Sequence, residues 1–188
     1  WLVLAVADLI NSILGSTRRV EVLWHTAALF YIGVPALCLV AMREVLPHAF
    51  WLLLAIFISV WAADTGALFT GNLLKGPKLW PALSPNKTWA GFIGGTVFGA
   101  VFGAIVFALA HGNLIYAAVL GAIAAVVGAA GDLFESFLKR RVGRKNSGSL
   151  IPGHGGVLDR VDSMLFVAPV SAVLFLLLHI DPLAGAMS

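Results

Sequence analysis

The chain has 188 residues, of which 60% are hydrophobic and 11% charged, with a mean hydropathy of +0.97. Ordinary globular proteins are about half apolar and about a quarter charged, so these values exclude a soluble domain. The single Cys38 lies in an apolar run and excludes a disulfide within the chain. What remains is one integral-membrane domain over residues 1–188, an all-α polytopic helical bundle.

Six apolar segments follow one another, and lipid requires each to be helical because backbone groups there find no water. The first, about 1–14, starts in mid-hydrophobic sequence without a Met or a basic leader, so a chain truncated ahead of Trp1 is expected. The second covers about 22–42 and the third about 48–70. A polar loop over 71–88 carries Lys75, Lys78 and Lys87. The fourth spans about 89–110, the fifth about 114–137, and the sixth about 156–180. Several of these reach the roughly 20 apolar residues that cross a bilayer.

Basic residues fall on alternate loops. Arg18 and Arg19 precede the second segment, three lysines follow the third, and five Lys or Arg follow the fifth. Only Arg43 occupies the second connection, and none the fourth. By the excess of positive charge on cytoplasmic loops, 15–21, 72–87 and 138–155 belong inside. That topology predicts that Asp64, Asp132, Glu135, Asp159 and Asp162, from three helices, meet at one depth around a cytoplasm-facing cavity. Ionisable groups within a membrane normally face such an interior. Gly91, Gly95, Gly99 and Gly103 recur every four residues and give the fourth segment a smooth packing face, which the fifth meets with Gly121, Ala125 and Ala129.

Asp132 with Glu135, and Asp159 with Asp162, are spaced i, i+3, so each pair shares a helix face. Two facing carboxylate pairs repel unless a cation lies between them, and oxygen-only ligands suit Mg²⁺ rather than zinc. The plainer alternative is that each acid pairs with Lys139, Arg140 or Arg160. Lys139, Arg140, Arg141, Arg144 and Lys145 form a cationic group beside these acids and suit polyphosphate, although such a group also anchors lipid headgroups. Gly153, His154, Gly155 and Gly156 lead into the sixth segment, and Ser84, Asn86, Lys87 and Thr88 lead into the fourth. Both are helix starts that favour an anion or simply cap the helix.

The run SFLKRRVGRKNSGSLIPGHGGVLDRVD over 136–162 resembles the signature of the CDP-diacylglycerol synthases, or phosphatidate cytidylyltransferases. GDLFES before it, SPNKTWAGFIGG at 84–95 and WAADTGALFTG at 61–71 resemble that family too, so the likeness covers about 59–163, the expected catalytic core. The resemblance implies transfer of a cytidylyl group from CTP to phosphatidic acid, giving CDP-diacylglycerol and pyrophosphate at the cytoplasmic face of the inner membrane. It implies Mg²⁺, with a second, monovalent cation such as K⁺. It also implies membrane lipids as surroundings and no nucleic acid. Under it Asp132, Asp159 and Asp162 carry metal ligation, with Asp64 and Glu135 supporting. Lys87, Lys139, Arg140 and Lys145 neutralise phosphates, Arg160 contributes to substrate binding, and His154 faces a phosphate or the departing pyrophosphate. Ser84, Asn86, Thr88, Gly155 and Gly156 orient phosphate oxygens. The family usually has Asp where this chain has Asn146, which puts a metal or base role there in doubt. A homodimer through the small-residue faces is a further expectation. Two alternatives stay open: a CTP-dependent lipid kinase and an ion-coupled transporter, against which the apolar outer halves of the fourth and sixth segments count.

Overall fold

The computed structural model describes residues 16–141 and 158–178, which are mostly helical. Helix α1 (Ser16–Val45) leads through a tight turn at His48 into α2 (Ala49–Leu74). A short hairpin follows, strands β1 (Lys78–Trp80) and β2 (Ser84–Thr88), paired antiparallel with Lys78 opposite Thr88 and Trp80 opposite Ser84. Helix α3 (Trp89–Leu109), α4 (Leu114–Arg141) and α5 (Leu158–Ala172) complete the bundle, and α5 continues as one wide π-helical turn, Val173–Leu177.

Hydropathy places the main spans closely. The segments expected at about 48–70, 89–110 and 114–137 are α2, α3 and α4, each long and apolar enough to cross a membrane. Their lengths of 26, 21 and 27 residues give about 30–40 Å of helix, against about 30 Å of hydrocarbon. A shorter apolar helix covers Val161–Leu177. Exposed side chains on this bundle are large and apolar, among them Leu68, Phe69, Ile93, Val97, Val101 and Ile115. A bundle apolar outside as well as inside is one that lipid can solvate.

Two features differ from an all-α expectation. The 71–88 segment is not a plain loop, because α2 runs on to Leu74 and the chain then reverses through Lys75 (φ 52°) and Gly76 (φ 105°) into the hairpin. A positive φ of that size favours glycine, and the reversal lets Pro77 accept from the Trp89 N–H. Helix α4 also extends past 137 to Arg141, which puts Lys139 and Arg140 on the helix.

The core is tied together by close backbone approach. Gly91, Gly95, Gly99 and Gly103 are all buried on α3. A methyl group at Gly95 would meet the Ala63 carbonyl of α2 at 2.7 Å, and one at Gly99 the Gly121 carbonyl of α4 at 3.0 Å. The stripe of small residues is therefore consumed within one chain, and a homodimer would need another surface. Around it pack Met42, Leu52, Ile56, Val60, Phe107, Val167 and Phe175. Thr88 caps α3, its Oγ1 accepting from the Gly91 N–H at 3.1 Å, and Asn113 caps α4 by accepting from Ile115 and Tyr116.

Candidate active site

Helices α4 and α5 can lie close because α4 has no side chain where they touch. A Cβ at Gly131 would stand 3.0 Å from the Phe166 Cβ and 3.1 Å from the Asp162 carbonyl, and one at Gly128 would stand 3.3 Å from the Ser163 Cβ. That approach carries Asp162, near the start of α5, to the acids of α4. Asp132, Glu135 and Asp162 each place a carboxylate oxygen within 4.8 Å of the others.

Two lysines border the group. Lys87, at the end of the hairpin, lies 2.5 Å from the Asp132 carboxylate, and Lys139 donates to Glu135 Oε2 at 2.9 Å, one turn along α4. Asp162 has no cation partner among the described residues, and its Oδ1 accepts from the Ser163 N–H at 2.7 Å. Among the described residues, then, three carboxyl groups face two ammonium groups, one cation fewer than acids. At 4.8 Å two such charges repel by roughly 3 kcal/mol even with an effective dielectric near 20. Glu135 is only 2% exposed, and its Oε1 has no donor among the described residues. Ionised carboxylates accept and cannot donate to each other, so among the described residues the group has fewer cations than acids. A small hard cation bound by oxygen meets that need, and these residues fit Mg²⁺.

The structure sorts the expected residues. Of five acids expected at one depth, Asp132, Glu135 and Asp162 converge. Glu135, expected as support, is at the centre. Asp64 is exposed on α2 and outside the cluster, although its charge interacts with Asp132 and Lys87. The alternative in which Lys139 pairs with an acid is present at Glu135, without neutralising the group. Ser84 is half-buried and Asn86 exposed on β2, while the Thr88 oxygen is engaged as a helix cap. Arg140 is exposed in the last turn of α4. Asp159 and Arg160 fall in the first turn of α5, but their side chains, like Lys145, Asn146, His154, Gly155 and Gly156 as a whole, lie outside the described residues.

One neighbour has no counterpart in the motif reading. Tyr31 of α1 packs its ring against Phe134 and Phe166, at centroid distances of 6.3 and 6.4 Å. Its hydroxyl is buried without a hydrogen-bond partner. The one sequence signal for it is a tyrosine, one of two in the chain, in the middle of an apolar segment, where a buried hydroxyl normally requires a partner.

Comparison with known proteins adds to this geometry. Residues 1–178 match a family described as the cytidylyltransferase family. A phosphatidate cytidylyltransferase of Brucella suis biovar 1 (strain 1330) is 44% identical over 146 residues, which cover 77% of this chain and 54% of the relative. The protein of the same name from Bacillus subtilis (strain 168) is 40% identical over 151 residues, 79% of this chain and 56% of the relative. One from Staphylococcus haemolyticus (strain JCSC1435) is 40% identical over 148 residues, again 78% and 56%. The chain thus spans about half the length of the curated relatives it matches.

Proposed function

The chain belongs to the cytidylyltransferase family, and from that membership we propose that the protein joins CTP to phosphatidic acid, giving CDP-diacylglycerol and pyrophosphate. The observation that carries this reading is the cluster of Asp132, Glu135 and Asp162, three acids bordered among the described residues by two cations, Lys87 and Lys139. The names of the relatives supply the substrates.

In the proposed reaction a phosphate oxygen of phosphatidic acid attacks the α-phosphorus of CTP. The bond from that phosphorus to the oxygen bridging the α- and β-phosphates breaks, and pyrophosphate leaves with the electron pair. Both substrates are anions, so the protein's task is positioning and neutralisation, and no covalent nucleophile on the chain is required. Asp132, Glu135 and Asp162, with Asp159, would hold Mg²⁺, whose charge would offset that of the phosphates; Asp64 and a monovalent cation such as K⁺ are assigned to the same neighbourhood. Lys87 and Lys139 are positioned to exchange a carboxylate for a phosphate oxygen, and Arg140, Lys145 and Arg160 add positive charge. Ser84, Asn86, His154, Gly155 and Gly156 orient phosphate oxygens in this reading.

Six spans with the hairpin and the acidic cluster at the cytoplasmic end of an inner-membrane protein complete the proposal. The alternation of basic loops supports it. So does the geometry: Lys87 in the second strand of the hairpin, the last third of α4 and the start of α5 meet. Product analysis tests the chemistry. With full-length protein, labelled CTP, phosphatidic acid and Mg²⁺, a CDP-lipid and pyrophosphate are expected. CDP with a phosphorylated lipid would instead assign a CTP-dependent lipid kinase.

A further inference from the structure

Within the cluster an acceptor and a donor are each without a partner. Glu135 Oε1 is an acceptor in a side chain 2% exposed, and the Tyr31 hydroxyl is an enclosed donor on a different helix. The Tyr31 hydroxyl is enclosed and does not face lipid, and its ring packs on residues that adjoin the acids. Its ring is fixed by the two aromatic residues that frame the acids. Phe134 directly precedes Glu135, Phe166 stands one turn beyond Asp162, and the two rings touch each other at 5.2 Å.

Buried phenols and buried carboxylates both ordinarily acquire hydrogen bonds. Carboxylates that hold a cation are themselves oriented by neighbouring donors, and those neighbours matter for affinity. A cation held at the cluster would draw the Glu135 oxygens toward it. Among the described residues the tyrosine hydroxyl is a donor placed to steady them from the other side, while Lys139 occupies Oε2. We propose that Tyr31 is a positioning residue of the cation site: its hydroxyl donates to the Glu135 carboxylate, directly or through one water, and fixes Oε1 for the ion. Helix α1 thereby becomes part of the site, although none of its residues lies in the motifs over 59–163. The inference rests on the cation reading given above and goes beyond it in assigning a residue outside the motif.

The test is a Mg²⁺ titration followed by thermal unfolding of the full-length protein, wild type beside Tyr31→Phe. Phenylalanine keeps the ring and removes only the hydroxyl, which has no hydrogen-bond partner among the described residues. Melting of the cation-free variant should be unchanged or raised, while the apparent Mg²⁺ affinity falls about tenfold to a hundredfold. Turnover lost at low Mg²⁺ should return as Mg²⁺ is raised. The affinity is the deciding reading whatever the cation-free melting does. A wild type that responds to Mg²⁺ with a Tyr31→Phe variant of the same affinity overturns the role of Tyr31 alone. A wild type that shows no Mg²⁺ response overturns the cation reading and this inference together.

Discussion

Asp162 lies buried beside two other carboxylates, and among the described residues one backbone N–H donates to it. Asparagine there keeps the acceptor oxygen and removes two repulsions, while no ion pair among the described residues is lost. Asp162→Asn should therefore stabilise the cation-free protein, by on the order of 1–2 kcal/mol after solvent screening. Chemical or thermal unfolding in the presence of a chelator reads that sign. A stability gain at a site that loses its function is the usual mark of a strained functional group. The residue 146 position offers a second test. Asn146→Asp should change turnover only slightly if Asp132, Glu135 and Asp162 suffice, and a large gain in rate would show that Asn146 is a lesion. At this scale the sequence was informative about chemistry and less so about rank. The i, i+3 spacing brought Asp132 and Glu135 to one face of α4, but nothing in it told that Glu135 would be enclosed and Asp64 exposed. Those positions depend on how α4 rotates against α5 and α2. Tyr31 carried only the signal of a tyrosine inside an apolar segment, because its partners Phe134 and Phe166 are far away in sequence.

Helices in this bundle are positioned by what they lack. Gly131 and Gly128 both face α5, yet a methyl group at Gly131 would meet backbone and ring atoms at 3.0–3.1 Å, while at Gly128 the nearest atom is 3.3 Å away and the next 3.6 Å. Gly131→Ala should thus shift α5 and carry Asp162 out of the cluster, at a cost of about 1–3 kcal/mol. Gly128→Ala should be the milder change, and comparing turnover with melting temperature for the pair separates displacement of the site from loss of fold. The glycine stripe of α3 was legible from its period of four, since only helix packing explains that repeat. The hairpin was not, because a three-residue strand and a five-residue strand of mixed polarity carry no periodic signal. The extra turn of α4 was hidden by its charge. Hydropathy ends a span where lysine begins, whereas the backbone continues, and that extra turn is what places Lys139 four residues beyond Glu135.

For the whole molecule, hydropathy found α2, α3 and α4 because lipid imposes length and composition on every spanning helix. Orientation was read from loop charge, and it makes a prediction of its own. In a Cys38→Ser background, a cysteine replacing Lys78 and one replacing Asn113 should be labelled from opposite sides of the membrane, the first from the cytoplasm. Labelling of both from one side would contradict the arrangement of spans. The architecture then has a simple logic: a bundle closed by small residues through its middle, with Lys87, Asp132, Glu135, Lys139 and Asp162 brought together where the hairpin, α4 and α5 meet.

The carboxylate cluster is, in the proposed function, the centre of nucleotidyl transfer. Its most direct test is the rate of pyrophosphate and CDP-lipid formation from CTP and phosphatidic acid by full-length Asp162→Asn, measured beside wild type at equal amounts of folded protein. Wild type should form both products with Mg²⁺, and the variant, although no less stable, should lose at least about a hundredfold in rate. A variant that turns over at close to the wild-type rate would contradict the assignment of this cluster.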